Sequence, residues 1–452
     1  DWGNIGVQSL KRGFYKCLKL KTIAPPDEDS FELLTSAYET FYSNESLETI
    51  PEGMFANAPA LTEGYSTFSG CISLKEAPAR LFAGCSNVTT FFRLFWGCKS
   101  LTTVAPDIFE GCTSAENFGQ VFTNSGITTV PENLFAGCTS ADAFTFLFSG
   151  CTNLTSVPAG IFSGLTTVTS VANAFSGCSS LTSVPEDIFA DLTSVTNVSG
   201  AFNGCTGLTS IPEGIFRNQT SATTLANVFK GCTGLTSIPE NIFSGLTAVT
   251  SVSAAFSGCT SLTSIPAGIF REQTANKNIS SVFADCVLFE SVPDNIFAGM
   301  TGVTNISSAF SGCTALKSIS SGIFSGMTAV TNLSDVFMDC TSLTSVPEGI
   351  FAGMSKVTNC NAAFMGCTSL ESVPVSVFDD CVKVTNFGDT FSGCAALKGE
   401  SPYTEIDGVK YHLYERGGND AFSAVRTTAG CFEGCTGLSD YSTIAESYSD
   451  WL

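Results

Sequence analysis

The sequence predicts a right-handed solenoid of about sixteen coils, each about 27 residues long, with a parallel β-sheet on one face and mostly turns elsewhere. Three observations carry this. Cysteine recurs at Cys151, Cys178, Cys205, Cys232 and every 27 residues on to Cys394. A phenylalanine three residues before that position is kept in every coil, from Phe14 to Phe432. A proline recurs at one fixed position in one half of eleven coils.

Upstream, the cysteine position falls on Ser125, Cys98, Cys71, Asn44 and Cys17, with one residue missing between Ser125 and Cys151. Downstream, Cys435 resumes the series after an insertion of 14 residues. One unit runs from Phe148 to Ala174 and has two halves, F-x-G-C-x-x-L-x-x-V-P and F-x-G-L-x-x-V-x-x-V. The two phenylalanine positions account for 29 of the 38 phenylalanines. A residue type that recurs once per coil stacks on itself. Two Phe columns, the Leu154, Val157 and Val171 columns and the Cys column should therefore fill a continuous core. Successive coils at strand spacing, ~4.8 Å, would give a rod roughly 75 Å long.

Proline follows the Val157-type residue in eleven coils. Proline has no N–H to give a ladder, so the Pro-free segment from Val168 to Ala174 is the expected strand. The Leu-Thr-Ser-Val-Pro segment is expected on the opposite side as a short extended piece and a turn. Gly150 and Gly164 suit tight corners. The expected organisation is one continuous domain: residues 1–398 the solenoid, 399–424 an inserted β-hairpin, and 425–452 the last repeat with a C-terminal cap. Thr404 to Tyr414 alternates around Asp407-Gly408, a hairpin signal.

The charge balance excludes several function classes. Lys and Arg total 20 against 41 acidic residues, a net charge of −21. A nucleic-acid binder needs a basic face, and docking on anionic lipid needs one too. No apolar run approaches the length of a membrane span. His412 is the single histidine, which removes most His-based catalysis and metal binding. The chain starts at Asp1 with no visible leader, as expected of a mature or trimmed chain.

The phrase L-T-S-V-P-E-G-I-F-A-G, followed by x-T-x-V-T-x-V and by the A-F-x-G-C-T-S-L-T-S block, resembles the BspA-like leucine-rich repeats of bacterial surface proteins, abundant in Bacteroides. The resemblance spans about residues 10–398 and 425–440. The segment Tyr403 to Trp451 is similar to the tail of such proteins. The resemblance implies a leucine-rich-repeat fold in a secreted or surface-anchored protein, with adhesion to host or neighbouring cells as its role. The usual Asn-based turn of leucine-rich repeats is expected to give way to Pro-rich turns.

Most of the twenty cysteines are expected to be buried free thiols rather than disulfides, because most occupy one interior column in which each faces identical neighbours. No cofactor or metal is expected. Carboxylates after the proline, such as Glu186, Glu213 and Glu240, are close enough for calcium but more simply form a solvated edge.

The expected outward face of the sheet, from Ser170 and Asn197 through Asn305 and Asn332 to Asn386, is small and neutral. It lacks the Trp, Tyr and Arg that dominate hot spots. Aromatics break that monotony in two places. Near the N-terminus, Tyr15, Tyr42 and Trp96 replace small residues, and Phe92 stands at an outward position beside Arg93. In the insertion stand Tyr411, His412, Tyr414 and Arg416, as candidate binders or as the cap of the last Phe columns. The expected function is a non-enzymatic adhesion protein, a rigid monomeric scaffold for a protein or glycan ligand on a host or neighbouring cell. The alternative is a glycan-binding accessory protein of a polysaccharide-uptake system. Localisation is expected to be extracellular, on the cell surface, with any lipid anchor in a segment outside this chain.

Overall fold

In each coil one residue type meets its copy from the coil before, and the side chains then dictate the packing. A computed structural model describes residues 2, 6–27, 30–56 and 58–452. It divides into two compact units, Asp1–Ala222 and Thr223–Leu452.

In the first unit a column of parallel bridges links Ser9, Ser36, Glu63, Thr90, Asn117, Ala143, Ser170 and Asn197 in succession. In the second unit the same column runs from Thr224 through Asn305 and Asn332 to Asn386 and Thr427. The expected strand over residues 168–174 contracts to a single bridging residue per coil. The cause is a residue with left-handed backbone three positions later: Asn173 has φ +55°, Asn227 +59° and Ala254 +51°. That conformation turns the chain out of the extended region. Hydrogen bonding between coils nevertheless continues through the turn. Val171, Asn173, Phe175 and Gly177 donate their N–H groups to the next coil, at Asn197, Ser199, Ala201 and Asn203. Ala174, Ser176 and Cys178 close local turns on Val171, Asn173 and Phe175. Alternate N–H groups thus go outward to a neighbour and inward to a turn, which meets the need of a buried backbone for partners.

The proline half differs from expectation as well. It carries a second, intermittent ladder: Thr22 with Thr49, Thr129 with Ser156, Ser291 with Ser318, and Ser345 with Ser372. β1 (Glu76–Ala77) and β2 (Thr103–Val104) pair in parallel within it. Proline limits this ladder rather than abolishing it. After β2 the chain has Ala105 where other coils have proline, and its N–H reaches Ala77 O at 3.0 Å.

The core is columnar, as the spacing predicts. Phe148, Phe175 and Phe202 stack at 5.7 and 5.5 Å with nearly parallel rings in the first unit. Phe337, Phe364 and Phe391 do so at 5.7 and 5.5 Å in the second. All six are fully buried. Each contributes roughly 1.5–3 kcal/mol of burial. The cysteines are free, and only Cys17 is exposed.

The Asn residues of the bridge column are half-buried. Asn278, Asn305 and Asn332 each accept, through Oδ1, the N–H two residues on, at 2.9–3.0 Å. Asn359 also donates to Asn332 at 3.0 Å. An Asn-based turn is therefore present, contrary to the expectation that proline would replace it. The amide oxygens that should have made a free polar face are committed to the backbone.

Near the C-terminus, β3 (Tyr403–Ile406) and β4 (Val409–His412) pair antiparallel around Asp407-Gly408. Both turn residues have positive φ, +52° and +80°, the geometry that favours Asp-Gly in a two-residue hairpin. A 3-10 turn, Leu413–Gly418, and a helix, α1 (Tyr441–Ser447), follow. Trp451 covers the last rings, 6.1 Å from Phe387 and 6.3 Å from Phe432.

Candidate binding surface

The aromatic side chains of the first unit form two short ladders. Tyr15 stacks on Tyr42 at 5.0 Å, with planes 6° apart. Tyr38 stacks on Tyr65 at 4.8 Å and 7°, and Tyr65 on Phe92 at 5.4 Å and 28°. Phe92 stands out in the sequence as an outward aromatic, whereas Tyr38 and Tyr65 join it only in the structure. Both stand in its column, at successive steps of 27, so the signal was available in the spacing. The ladder stops at Gly119, where a Cβ would sit 3.1 Å from the Phe92 ring.

Cations lie over these rings. Lys11 Nζ is 4.9 Å from the Tyr38 centroid, and Arg12 is 5.4 Å from Tyr15 and 6.0 Å from Tyr38. Lys16 covers Tyr15 at 5.4 Å, and Arg93 covers Phe92 at 5.2 Å. Arg12 Nε is held by Glu39 at 2.6 Å, and Arg93 Nε by Gln120 at 2.8 Å. Partial burial, aided by the Glu39 carboxylate, raises the Tyr38 phenol above its ordinary range. Tyr15 is 36% exposed, and Tyr38, Tyr42, Tyr65 and Phe92 are half-buried. The result is a ridge of rings, flat and amphipathic, with guanidinium and ammonium groups along it.

Trp96 does not join the Tyr15–Tyr42 pair. Ser69, fully buried, occupies that column in the coil between. Trp96 instead lines a separate cleft of about 700 Å³.

The C-terminal candidates behave differently. Arg416 is 2% exposed. It donates to Phe378 O at 2.9 Å, Cys381 O at 3.1 Å and Thr404 Oγ1 at 2.9 Å, and lies 4.5 Å from the Phe422 ring. Burial lowers its pKa to about 10, so it stays charged at neutral pH. Its Nε is buried without a partner. His412 and Tyr414 are buried and stack on each other at 4.9 Å. Burial, with Asp440 nearby, raises the Tyr414 phenol well above its ordinary range. These three side chains fasten the hairpin to the last coils and are not displayed to a ligand. Tyr411 is half-buried, with its ring 6.3 Å from Phe422.

The same region holds a Ser-His-acid constellation. Ser401 Oγ is 2.9 Å from His412 Nδ1, and Glu400 Oε1 is 3.4 Å from His412 Nε2. Ser401 is fully buried, however, and its hydroxyl donates to Asp440. A nucleophile needs access to substrate. This hydroxyl is enclosed and already committed, so the group is a polar knot under the hairpin. Among the described residues no cluster of His, Cys, Asp or Glu could hold a metal ion, and no helix is long and apolar enough to cross a membrane.

Comparison with known proteins bears on the repeat. Residues 75–263 match the family described as BspA type leucine rich repeat region, in six copies. Residues 277–403 match a family described as a Mycoplasma protein of unknown function. No curated protein matches the chain. Among solved structures, a leucine rich cell surface protein of Faecalibacterium prausnitzii is similar at 22% identity and a TM-score of 0.31, over 80% of this chain and 84% of that one. A leucine-rich repeat protein of Bacteroides ovatus is similar at 19% identity and 0.32, over 78% and 82%. A leucine-rich repeat protein of Leptospira interrogans is similar at 12% and 0.32, over 78% and 87%. The chain is a leucine-rich-repeat solenoid, and its residues 75–263 match the model of the BspA-type leucine-rich repeat region.

Proposed function

We propose that this chain is a non-enzymatic adhesion protein of the cell surface, whose repeats present a binding ridge to a protein on a host or neighbouring cell. The observation that carries this reading is the Tyr38–Tyr65–Phe92 ladder with Lys11, Arg12 and Arg93 along it. Tyr, Trp and Arg supply most binding energy at protein interfaces, and rings held by stacking lose little freedom on docking. The chain carries −21 overall, yet five of its 20 basic residues lie within residues 11–21. A partner with an acidic, partly apolar face complements that end. The leucine-rich cell surface protein of Faecalibacterium prausnitzii gives the surface location its context.

The test is a triple variant, Tyr38→Ser, Tyr65→Ser and Phe92→Ser, assayed for adhesion to whole cells and to immobilised matrix proteins. A control carries Asn305→Ala and Asn332→Ala. The expected result is loss of adhesion in the triple variant alone, with circular dichroism unchanged. Adhesion lost only in the control would place the site on the bridge column and end this reading, as would adhesion intact in both.

A further inference from the structure

We infer that the cleft beside Trp96 is a binding site for a short neutral oligosaccharide, created by the one residue missing from the repeat. This inference does not rest on the adhesive ridge proposed above. In a regular coil the cysteine position and the following leucine enclose two turn residues, as in Cys98-Lys99-Ser100-Leu101 and Cys151-Thr152-Asn153-Leu154. Between those coils the corresponding run is Ser125-Gly126-Ile127, with one turn residue. Gly126 lies hard against the Lys99 carbonyl, where a Cβ would collide with backbone, so the shortened turn is drawn inward and admits only glycine. The surface is left recessed at that rung.

The recess is lined from five successive coils, by Ser43 and Glu45 at one end and Asn153 at the other. At strand spacing, four steps make a groove roughly 19 Å long. Its volume, about 700 Å³, falls in the range typical of small-molecule sites, roughly 300–1,000 Å³. Gly70, Gly97 and Gly150 along it have φ of +74°, +71° and +71°. They carry no side chain that would keep a ligand from the peptide groups.

The chemistry selects the ligand class. Trp96 is half-buried, and its indole N–H makes no hydrogen bond among the described residues. Lys99, Asn124 and Asn153 are exposed, and their side chains make no hydrogen bond or ion pair among the described residues. Three uncommitted polar side chains and one aromatic ring therefore converge on one groove. A sugar ring offers what they need: an apolar C–H face for the indole and equatorial hydroxyls for amides and ammonium. With Lys99 as the lone cation and Glu45 opposing it, a phosphorylated ligand is poorly matched. The polar lining likewise disfavours a lipid chain. No later coil repeats an aromatic at the Trp96 position, which holds Thr123, Ser149 and Ser176 in the next three.

The experiment screens the full chain on an array of short neutral linear oligosaccharides, followed by titration of the best binder. Two variants are compared: Trp96→Ala, and a serine inserted between Ser125 and Gly126 to restore the regular turn. The triple ridge variant is a control. The expected result is saturable binding, weakened at least about tenfold in both cleft variants and unchanged in the ridge variant. An array with no neutral binder overturns the inference, as does binding that survives Trp96→Ala and the insertion. Binding lost in the ridge variant alone would assign the sugar to the ridge. If the insertion variant fails to fold, Trp96→Ala alone decides.

Discussion

The thiol of Cys205 donates a hydrogen bond to the carbonyl oxygen of Phe175, thirty residues earlier, at 3.1 Å. The same bond recurs up the column, from Cys178 to Phe148 and from Cys313 to Phe283. In the other half of the coil, Cys85 does this to Phe55, and Gln273 to Phe243 at 3.0 Å. A polar side chain in either column thus ties its coil to the one before. Cysteine does this at little cost, being small and nearly apolar. Gln273 leaves its Oε1 buried without a partner.

These thiols should make the protein labile to alkali. Burial pushes Cys205, Cys259, Cys313 and Cys367 each up to about 12. An unfolded thiol ionises near ~8.5. A folded pKa above the unfolded one gives stability that is complete below ~8.5 and is lost as pH rises toward 12. Each such thiol removes about 1.4 kcal/mol per pH unit across that window. The urea midpoint, followed by circular dichroism under reducing conditions, is expected to fall steeply above pH ~8.5. Replacing Cys259, Cys313 and Cys367 by Ala should flatten that dependence. An equal slope in both proteins would refute the assignment.

The left-handed residue in each coil is a site of removable strain. Ala254 has φ +51°, where a Cβ is disfavoured, while Gly200 fills the same position with φ +62°. Ala254→Gly is expected to raise stability by about 0.5–1 kcal/mol, strain relief outweighing the extra freedom of the unfolded chain. Gly200→Ala should lower it by a similar amount, since its Cβ would also press on the Asn173 side chain. Urea unfolding of both variants checks the sign, and a destabilised Ala254→Gly protein would contradict it.

Arg416 is expected to hold the hairpin rather than a ligand. Arg416→Met removes donors from Cys381 O, Phe378 O and Thr404 Oγ1. The expected loss is about 2–3 kcal/mol, confined to the C-terminal coils. Hydrogen exchange should quicken in β3 and β4 while the amides around Phe148 and Phe175 stay protected. Unchanged protection of the hairpin would show that Arg416 is dispensable to it.

The repeat, its Phe and Cys columns and the Asp407-Gly408 hairpin were legible in the sequence, because each depends on spacing or on local turn chemistry. Spacing also carried the ridge as far as Phe92, and would have carried it to Tyr38 and Tyr65. Other features needed the tertiary structure. The left-handed backbone at Arg93, Asn173 and Ala254 has no residue signature, since the stacking of coils rather than local preference imposes it. That turn decides that the bridge column is one residue wide and that Asn305 and Asn332 spend their amide oxygens on the backbone. Burial of His412, Tyr414 and Arg416 depends on how an inserted hairpin folds back onto coils far away in sequence, where no periodicity reaches. The missing residue at Gly126 was visible as arithmetic, but only the packing of five coils turns that gap into a cleft.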